Sequence, residues 1–171
     1  YLAILAEEGV LFSLGSDAAE VPAGFERLTA SSPGIAGRKV FPVHRPAPDP
    51  LVASGLRGVE RVVLPWKGGR AHVTLWTEDP GEWEMLPHPL ERRIRVNGAE
   101  ILAERMTPQE WIEQRYLRGS HEEHDASDDA WTAYGRRRGE RRSIDVEPTA
   151  DGIVVELAGS GAEALFLSAV L

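Results

Sequence analysis

The sequence contains no cysteine, which excludes disulfide bonds, thiolate metal sites and a cysteine nucleophile. It also lacks any apolar run approaching the roughly 20 residues of a membrane-spanning helix, so we expect no transmembrane segment. Basic residues are few, with 19 Lys and Arg against 27 Asp and Glu. The resulting net charge of −8 argues against a nucleic-acid partner.

The length of 171 residues suits one domain covering residues 1–171. Residue 1 is Tyr, which indicates either a removed start or a segment of a longer protein. Residues 1–6 are apolar but lack the basic flank and cleavage site of a signal peptide, so targeting signals indicate no compartment.

The stretch 70–102 carries the main evidence for fold class. From His72 to Trp76, polar and apolar residues alternate, which is typical of a strand with two different faces. Residues 91–96 alternate again and lead into Asn97-Gly98, a dipeptide suited to a hairpin turn because both central positions accept positive φ. The stretch therefore predicts two strands joined by a long crossing segment, with a hairpin turn after the second. Trp76, on a central strand, is expected in the core.

Similar patterns of short strands and turns fill much of the remaining chain. Further strands are predicted at 9–14, 25–29, 38–45, 59–65 and 164–171, with a second hairpin joining 143–147 to 153–157. The proline-rich run 46–50 is expected to be an irregular surface connection. This spacing predicts an all-β fold, an antiparallel β-sandwich or jelly roll.

One segment departs from the strand pattern and predicts a short helical insertion at about 104–142. Thr107 and Glu110 form a capping box with Pro108 at the first helical position, so a helix is expected over 108–118. A second, shorter helix is predicted from residue 127 through Tyr134.

Several short motifs follow one another in a recognisable order. They are Phe12 to Gly15 with Gly24 to Leu28, Asp49 to Leu51, Gly68 to Arg70 with Val73 to Leu75, Arg93 to Gly98, Ile153 to Leu157, and Phe166 to Leu171. In this order they resemble the galactose-binding-like β-sandwiches, including malectin-like modules and the modules fused to polysaccharide-degrading enzymes. The crossing segment 78–89 and the insertion exceed the usual pattern of that family. If the family's binding loops have been rebuilt here, its ligand preference does not transfer.

The resemblance implies an extracellular or periplasmic bacterial module, accessory to a larger polysaccharide-active enzyme. Its expected partners are a poly- or oligosaccharide and the rest of a longer polypeptide or a catalytic domain, with no membrane partner. Our first hypothesis is therefore a non-catalytic carbohydrate-binding module. The alternative is a structural module that packs on a catalytic domain and binds no sugar.

Aromatic residues in the two long segments are the candidates for sugar binding, because flat rings stack on the C–H surfaces of sugars. The candidate ligand-binding residues are Trp83, His88, Trp111, Tyr116, Trp131, Tyr134 and Arg138. The opposing interpretation is that these aromatics form a small satellite core, as the spacing of Ile112 and Tyr116 indicates.

Arginines 136–138, with Arg141 and Arg142, form a basic run inside an acidic protein. Guanidinium groups bind carboxylate and sulfate bidentately, which would suit uronic or sulfated polysaccharides. Alternatively, these arginines pair with the acidic residues just upstream.

A metal site and an active site are the remaining hypotheses. His121, His124 and Asp125 are candidate ligands, and an oxygen-rich cluster of this kind would suit a structural calcium ion. The alternative is a solvated acidic loop. No recognised catalytic motif is present, so a small polysaccharide-active enzyme is the third hypothesis for function.

Overall fold

Two five-stranded sheets stack face to face in the computed structural model, which describes residues 9–45, 47, 49–79, 90–116 and 141–171. The predicted all-β, antiparallel β-sandwich is confirmed. The strands are β1 (Phe12–Leu14), β2 (Glu26–Leu28), β3 (Ile35–Ala36), β4 (Phe41–His44), β5 (Ser54–Arg57), β6 (Arg61–Leu64), β7 (Ala71–Trp76), β8 (Glu91–Val96), β9 (Ala99–Arg105), β10 (Arg141–Val146), β11 (Ile153–Gly159) and β12 (Ala169–Val170).

The first sheet has the strand order β10-β7-β12-β1-β2. Its pairs are antiparallel except β1 with β2, where Phe12 lies opposite Glu26 in a parallel register. Strand β12 is short and is preceded by a 3-10 helix, Ala162–Leu165. The predicted last strand over 164–171 is therefore limited to two residues at its end.

The second sheet has the order β3-β6-β11-β8-β9, and its β8–β9 hairpin confirms the predicted Asn97-Gly98 turn. Asn97 and Gly98 have φ values of 48° and 82°. The Asn97 side chain also accepts a hydrogen bond from the Val154 amide at 2.7 Å and donates one to the Glu147 carbonyl at 2.7 Å. The turn is thus attached to the neighbouring strand as well as closing its own hairpin.

Strands β4 and β5 form a two-stranded ribbon, and a short helix, α1 (Pro50–Ala53), lies between them in the chain. Asp49 caps this helix by accepting a hydrogen bond from the Leu51 amide at 2.9 Å. The prediction that 46–50 is wholly irregular was wrong at its end, because proline at the first position of a helix loses no hydrogen bond.

The predicted hairpin of 143–147 with 153–157 was also wrong, although the turn itself is present. The Thr149 amide donates to the Gly152 carbonyl at 2.9 Å, but the two strands enter different sheets. All six residues of β10 pair with β7, while β11 has β6 on one side and β8 on the other. Both edges of β11 are therefore already paired, so β10 cannot pair with it.

The core lies between the two sheets and is built from the inward residues of both. Its fully buried members include Leu14 and Leu75 from the first sheet, and Val62, Ile94 and Val155 from the second. A second apolar cluster covers the outer face of the first sheet. It includes Trp76, which is 7% exposed and confirms the predicted core position.

The capping box at Thr107 and Glu110 is confirmed, with Pro108 opening helix α2 (Pro108–Trp111). The helix continues as a π-helical turn, Ile112–Tyr116, so the predicted helix 108–118 begins where expected. Residues 117–118 and the second predicted helix lie outside the described residues. Among the helices of the described part, none is long and apolar enough to cross a membrane.

Candidate binding site at the loop end of the sandwich

One end of the sandwich, which we call the loop end, gathers the points where the chain enters and leaves both long segments. Strand β7 ends there at Trp76, β8 begins there at Glu91, and β10 begins there at Arg141. Residues 80–89 and 117–140 connect these points and lie outside the described residues.

Most of the predicted binding residues belong to those two segments. Trp83, His88, Trp131, Tyr134 and Arg138 lie outside the described residues, as do the predicted metal ligands His121, His124 and Asp125. The backbone of Tyr116 lies in the π-helical turn, and its side chain is not among those described.

Trp111 is the predicted binding residue whose side chain the structure places. It is 3% exposed at the end of α2, and its amide donates to the Thr107 carbonyl at 3.0 Å. A ring that stacks on a sugar needs an open face, so this burial fits the satellite-core interpretation rather than the stacking role predicted for Trp111. The next residue, Ile112, is 38% exposed.

The chain leaving β7 places Glu78 at the loop end between the two sheets. Arg92 Nη1 donates to both carboxylate oxygens of Glu78, at 3.0 and 2.9 Å, and Arg92 Nη2 donates to the Thr77 carbonyl at 3.0 Å. Arg142 adds a bond of 3.3 Å from the other sheet. Because Arg92 belongs to β8 and Arg142 to β10, Glu78 links a strand of the second sheet to an edge strand of the first.

The surroundings of Glu78 perturb its ionisation. Burial acts to raise the pKa of Glu78, but the charges of Arg92, Arg142 and Arg115 and the hydrogen bonds from Arg92 outweigh it, so the pKa lies below its ordinary value. Glu78 is therefore a carboxylate at neutral pH. Arg115 itself pairs with Glu104, close to the start of the segment 117–140.

Asp79 forms a second ionic group beside the first. Arg57 Nε donates to Asp79 at 2.7 Å, and Arg45 Nε donates to its other oxygen at 3.1 Å. The side chains of Arg57 and Asp79 are only 9% and 8% exposed, and Glu163 lies 3.7 Å from Arg57. The entry to the segment 80–89 is thus anchored by consecutive carboxylates, each bound to arginines of other strands or loops.

Three buried polar atoms in this region have no hydrogen-bond partner among the residues that the structure describes: Thr77 Oγ1, Arg92 Nε and Arg142 Nε. Thr77 is 1% exposed and the Arg92 side chain 4% exposed. Buried donors normally find partners, so the loop end keeps hydrogen-bonding capacity next to its ionic groups.

A depression of about 330 Å³ opens beside these groups at the ends of β8, β9 and β11. Its charged lining comprises Arg92, Arg93, Arg105, Glu91 and Glu104. Arg92 is buried against Glu78 and Arg93 pairs with Glu100, whereas Arg105 is exposed. An exposed guanidinium can bind carboxylate or sulfate with paired hydrogen bonds. The arrangement is chemically suited to an anionic or hydroxyl-rich ligand.

Other candidate chemistry in the described part is limited. No group of three or more potential metal ligands occurs among the residues that the structure places.

His72 and Asp145 form an exposed pair on the outer face of the first sheet, with Nδ1 and Oδ1 2.7 Å apart. The hydrogen bond from His72 and the charge of Arg70 lower the pKa of Asp145. This pair joins β7 to β10 at directly opposed positions.

The ionic groups at Glu78 and Asp79 were not predicted from the sequence, although one signal was present. Arg92 shares its face of β8 with Ile94 and Val96, because every second residue of a strand points to the same side. An arginine in line with core residues requires a buried carboxylate partner. The run Glu78-Asp79, directly after a buried strand, was the available candidate.

No protein-family model matches the chain, and no curated protein matches it. Solved structures with a similar fold include two β-glucuronidases from Bacteroides uniformis. One, bound covalently to cyclophellitol-6-carboxylate aziridine, is 13% identical and aligns with 97% of this chain at a TM-score of 0.50. The other is 14% identical and aligns with 94% of this chain at a TM-score of 0.52.

The aligned region is a small part of each β-glucuronidase, 18% and 17% of their chains. A Bacillus subtilis protein is also similar, at 13% identity over 94% of this chain and 38% of its own, with a TM-score of 0.46. The two β-glucuronidase alignments support the same conclusion as the strand order. The chain is a β-sandwich of a type that also occurs within much longer proteins.

Proposed function

We propose that the protein is a non-catalytic carbohydrate-binding β-sandwich, accessory to a larger polysaccharide-active enzyme, and that its sugar site lies at the loop end. The observation that carries this proposal is the convergence of both long segments on one arginine-lined end of the sandwich. Rigid sheets that present long connections at one end are a common scaffold for binding sites.

The sequence of the two segments supplies the aromatic residues that sugar binding needs. Trp83 and His88 belong to 80–89, and Trp131 and Tyr134 belong to 117–140. The described chain enters and leaves both segments at the loop end, where the 330 Å³ depression also lies. Aromatic faces with a few polar groups around a cavity of this size fit a small-molecule or sugar site.

The arginines narrow the ligand class to acidic sugars. Arg105 is exposed at the end of β9, and Arg93, which is about half exposed and pairs with Glu100, lines the same depression. A uronate or a sulfated sugar would offer these groups a planar or tetrahedral anion, whereas a neutral sugar would not. Two of the similar solved structures are β-glucuronidases, and one is covalently bound to cyclophellitol-6-carboxylate aziridine, which agrees with a setting among acidic carbohydrates.

The proposal is tested by titrating the purified protein with neutral, uronic and sulfated polysaccharides while following tryptophan fluorescence, with and without EDTA. We expect an acidic class to bind, and Trp83→Ala or Trp131→Ala to weaken that binding. Arg105→Ala should weaken it at least about tenfold, because charge-assisted hydrogen bonds contribute about 1.5–3 kcal/mol.

Arg61→Ala is the matched control, since Arg61 is an exposed strand arginine that pairs with Asp151 in the second sheet. Equal weakening by Arg61→Ala and Arg105→Ala would mean that net charge alone governs binding. That outcome, or no binding across the panel, would contradict the proposed site. Loss of binding in EDTA would support the calcium site predicted around His121, His124 and Asp125.

The second candidate function is a structural module that packs on a catalytic domain without binding sugar. It is favoured by the similar solved structures, in which the aligned region makes up only 18% and 17% of a β-glucuronidase chain.

A further inference from the structure

Asn97 is the only asparagine in the sequence, and Gly98 follows it at the turn of the β8–β9 hairpin. Asparagine is one of the thermolabile residues, because its side-chain amide can be lost as ammonia. The reaction starts when the backbone nitrogen of the next residue attacks the side-chain carbonyl carbon, and a following glycine hinders this attack least because it has no Cβ. The chain therefore carries one asparagine, in the sequence context that favours deamidation most.

Hydrogen bonds hold the Asn97 side chain against the neighbouring strand β11. The Asn97 backbone amide donates to the Val154 carbonyl at 2.8 Å, and the Val154 amide donates to Asn97 Oδ1 at 2.7 Å. In an antiparallel ladder, opposed residues exchange such bonds between their backbone groups. Here the side-chain oxygen replaces the backbone carbonyl of Asn97, whose φ of 48° turns the chain into the hairpin. Asn97 thus extends the β8–β11 ladder beyond its last strand pair, Val96 with Val155.

The nitrogen of the same side chain holds the turn between β10 and β11, residues 147–152. Asn97 Nδ2 donates to the Glu147 carbonyl at 2.7 Å and to the Gly152 carbonyl at 3.4 Å. Thr149 and Gly152 close this turn through backbone bonds of 2.9 and 3.0 Å. We call the side-chain bonds of Asn97 to Glu147, Gly152 and Val154 the Asn97 clasp. Because β10 belongs to the first sheet, the clasp connects the chain leaving that sheet to a hairpin of the second.

The clasp opposes the chemistry that the Asn97-Gly98 sequence favours. In deamidation, the Gly98 nitrogen gives its proton to water and bonds to Asn97 Cγ, and the Cγ–Nδ2 bond then breaks so that Nδ2 leaves as ammonia. Water afterwards opens the five-membered imide at either carbonyl, which yields aspartate or its β-linked isomer. The clasp directs both polar atoms of the side-chain amide at β11 and the 147–152 turn. The side chain must therefore leave these partners before Cγ can reach the Gly98 nitrogen.

We propose that Asn97 is a deamidation site of the native protein, that local opening of the clasp sets the rate, and that the products cannot close the clasp again. Both products carry a carboxylate in place of the amide, and an ionised carboxylate accepts hydrogen bonds but donates none. In the aspartate product, the carbonyls of Glu147 and Gly152 would face a negatively charged oxygen where Nδ2 donated to them. The reaction therefore releases the 147–152 turn from the hairpin. This inference is independent of the sugar site, which lies at the other end of β8.

Peptide mass spectrometry of the full chain tests the rate, because the only asparagine gives the mass change of deamidation at one known position. The protein is incubated in mildly alkaline buffer without urea, at several low urea concentrations, and in urea that unfolds it. We expect the native rate to be at least about tenfold below the unfolded rate, because only the open clasp reacts. We also expect the native rate to change little at low urea, because a local opening exposes little surface.

The variant Asn97→Asp reproduces one product directly, and Ala99→Asp is its matched control. Ala99 is exposed in the same hairpin, so the control adds the same side chain and charge without removing a bond of the clasp. We expect Asn97→Asp to lower the melting temperature more than Ala99→Asp does. Backbone amide exchange at Thr149 should also become at least about tenfold faster in Asn97→Asp, because the turn that contains this amide opens more often.

Equal deamidation rates in the native and unfolded protein would overturn the inference, because the clasp would then give no protection. A native rate no higher than the globally unfolded fraction predicts would also overturn it, since the reaction would not use local opening. Equal melting temperatures and Thr149 exchange rates in Asn97→Asp and Ala99→Asp would show that the donors on Nδ2 do not hold the turn. These readouts are chemical conversion, stability and exchange, so their failure is separable from failure of the polysaccharide titration.

Discussion

Replacing Glu78 by Gln should destabilise the protein strongly, because it leaves the guanidinium of Arg92 buried without its counter-charge. The Arg92 side chain is 4% exposed and that of Glu78 16% exposed, and Arg92 Nη1 contacts both carboxylate oxygens. Removing one member of a buried ion pair costs about 3–5 kcal/mol. For a domain of this size, that corresponds to a fall in melting temperature of about 6–20 °C.

The assay is thermal and urea unfolding of the purified variant, with Glu100→Gln as the matched control. Glu100 also pairs with an arginine of β8, Arg93, at 3.2 Å, but both side chains are about half exposed, at 43% and 56%. An exposed pair of this kind contributes about 0–1 kcal/mol. Equal effects of Glu78→Gln and Glu100→Gln would refute the argument that burial makes the Glu78 pair important.

A double variant separates the loss of the charge pair from the change of shape. Glu78→Gln with Arg92→Met removes both charges, and such apolar replacements of buried pairs are often close to neutral. We therefore expect the double variant to be more stable than Glu78→Gln alone. If it is less stable, the main role of Arg92 is its hydrogen bond to the Thr77 carbonyl rather than its charge.

The same pair sets a pH dependence whose sign follows from the lowered pKa of Glu78. A carboxyl whose pKa is lower in the folded state contributes stability that is present above its unfolded pKa of about 4.3 and is lost as pH falls through the folded pKa. The stability difference between the native protein and Glu78→Gln should therefore be constant from pH 7 to about 5 and should shrink at lower pH. A difference that grows on acidification would contradict this assignment.

Two further predictions concern packing and backbone geometry. Trp111→Ala should lower the free energy of unfolding by about 3–5 kcal/mol because the ring is buried. Ile112→Ala, at an exposed position, should lower it far less. Equal losses in the two variants would contradict a packing role for Trp111. Gly152→Ala should destabilise the protein more than Gly98→Ala, as measured by urea unfolding. Both glycines have positive φ, but only at Gly152 would the Cβ of alanine lie 2.4 Å from a backbone oxygen, that of Leu64. Equal losses of unfolding free energy in the two variants would contradict this steric argument.

Local signals predicted the parts of the fold that depend on a few neighbouring residues. The Asn97-Gly98 turn, the capping box of Thr107 and Glu110, and the core position of Trp76 are confirmed. Each is decided within about four residues, because positive φ, an N-terminal cap or a strand period acts over that range. The helical start at Pro50 was missed because the surrounding prolines indicated irregular structure.

Strand partners and ionic partners were not predictable in the same way. Alternation in 143–147 and 153–157 shows which residues share a face, but it does not show which strand lies alongside. The short turn at 149–152 suggested a hairpin, yet the sandwich places these strands in opposite sheets because β11 is enclosed on both sides. The candidate site is likewise only partly predicted, since its arginines come from β8, β9 and β10 while most of its predicted aromatics belong to the long segments.

By itself, the sequence determined the fold class, the main turns and the absence of cysteine chemistry, because composition and short-range periodicity are properties of the chain alone. The tertiary structure decided that Glu78 binds Arg92, 14 residues away, and Arg142, 64 residues away. It also decided that Asp79 binds Arg57, 22 residues away, and Arg45, 34 residues away. Both outcomes depend on which strands become neighbours, and this is set by the packing of two whole sheets rather than by any one segment.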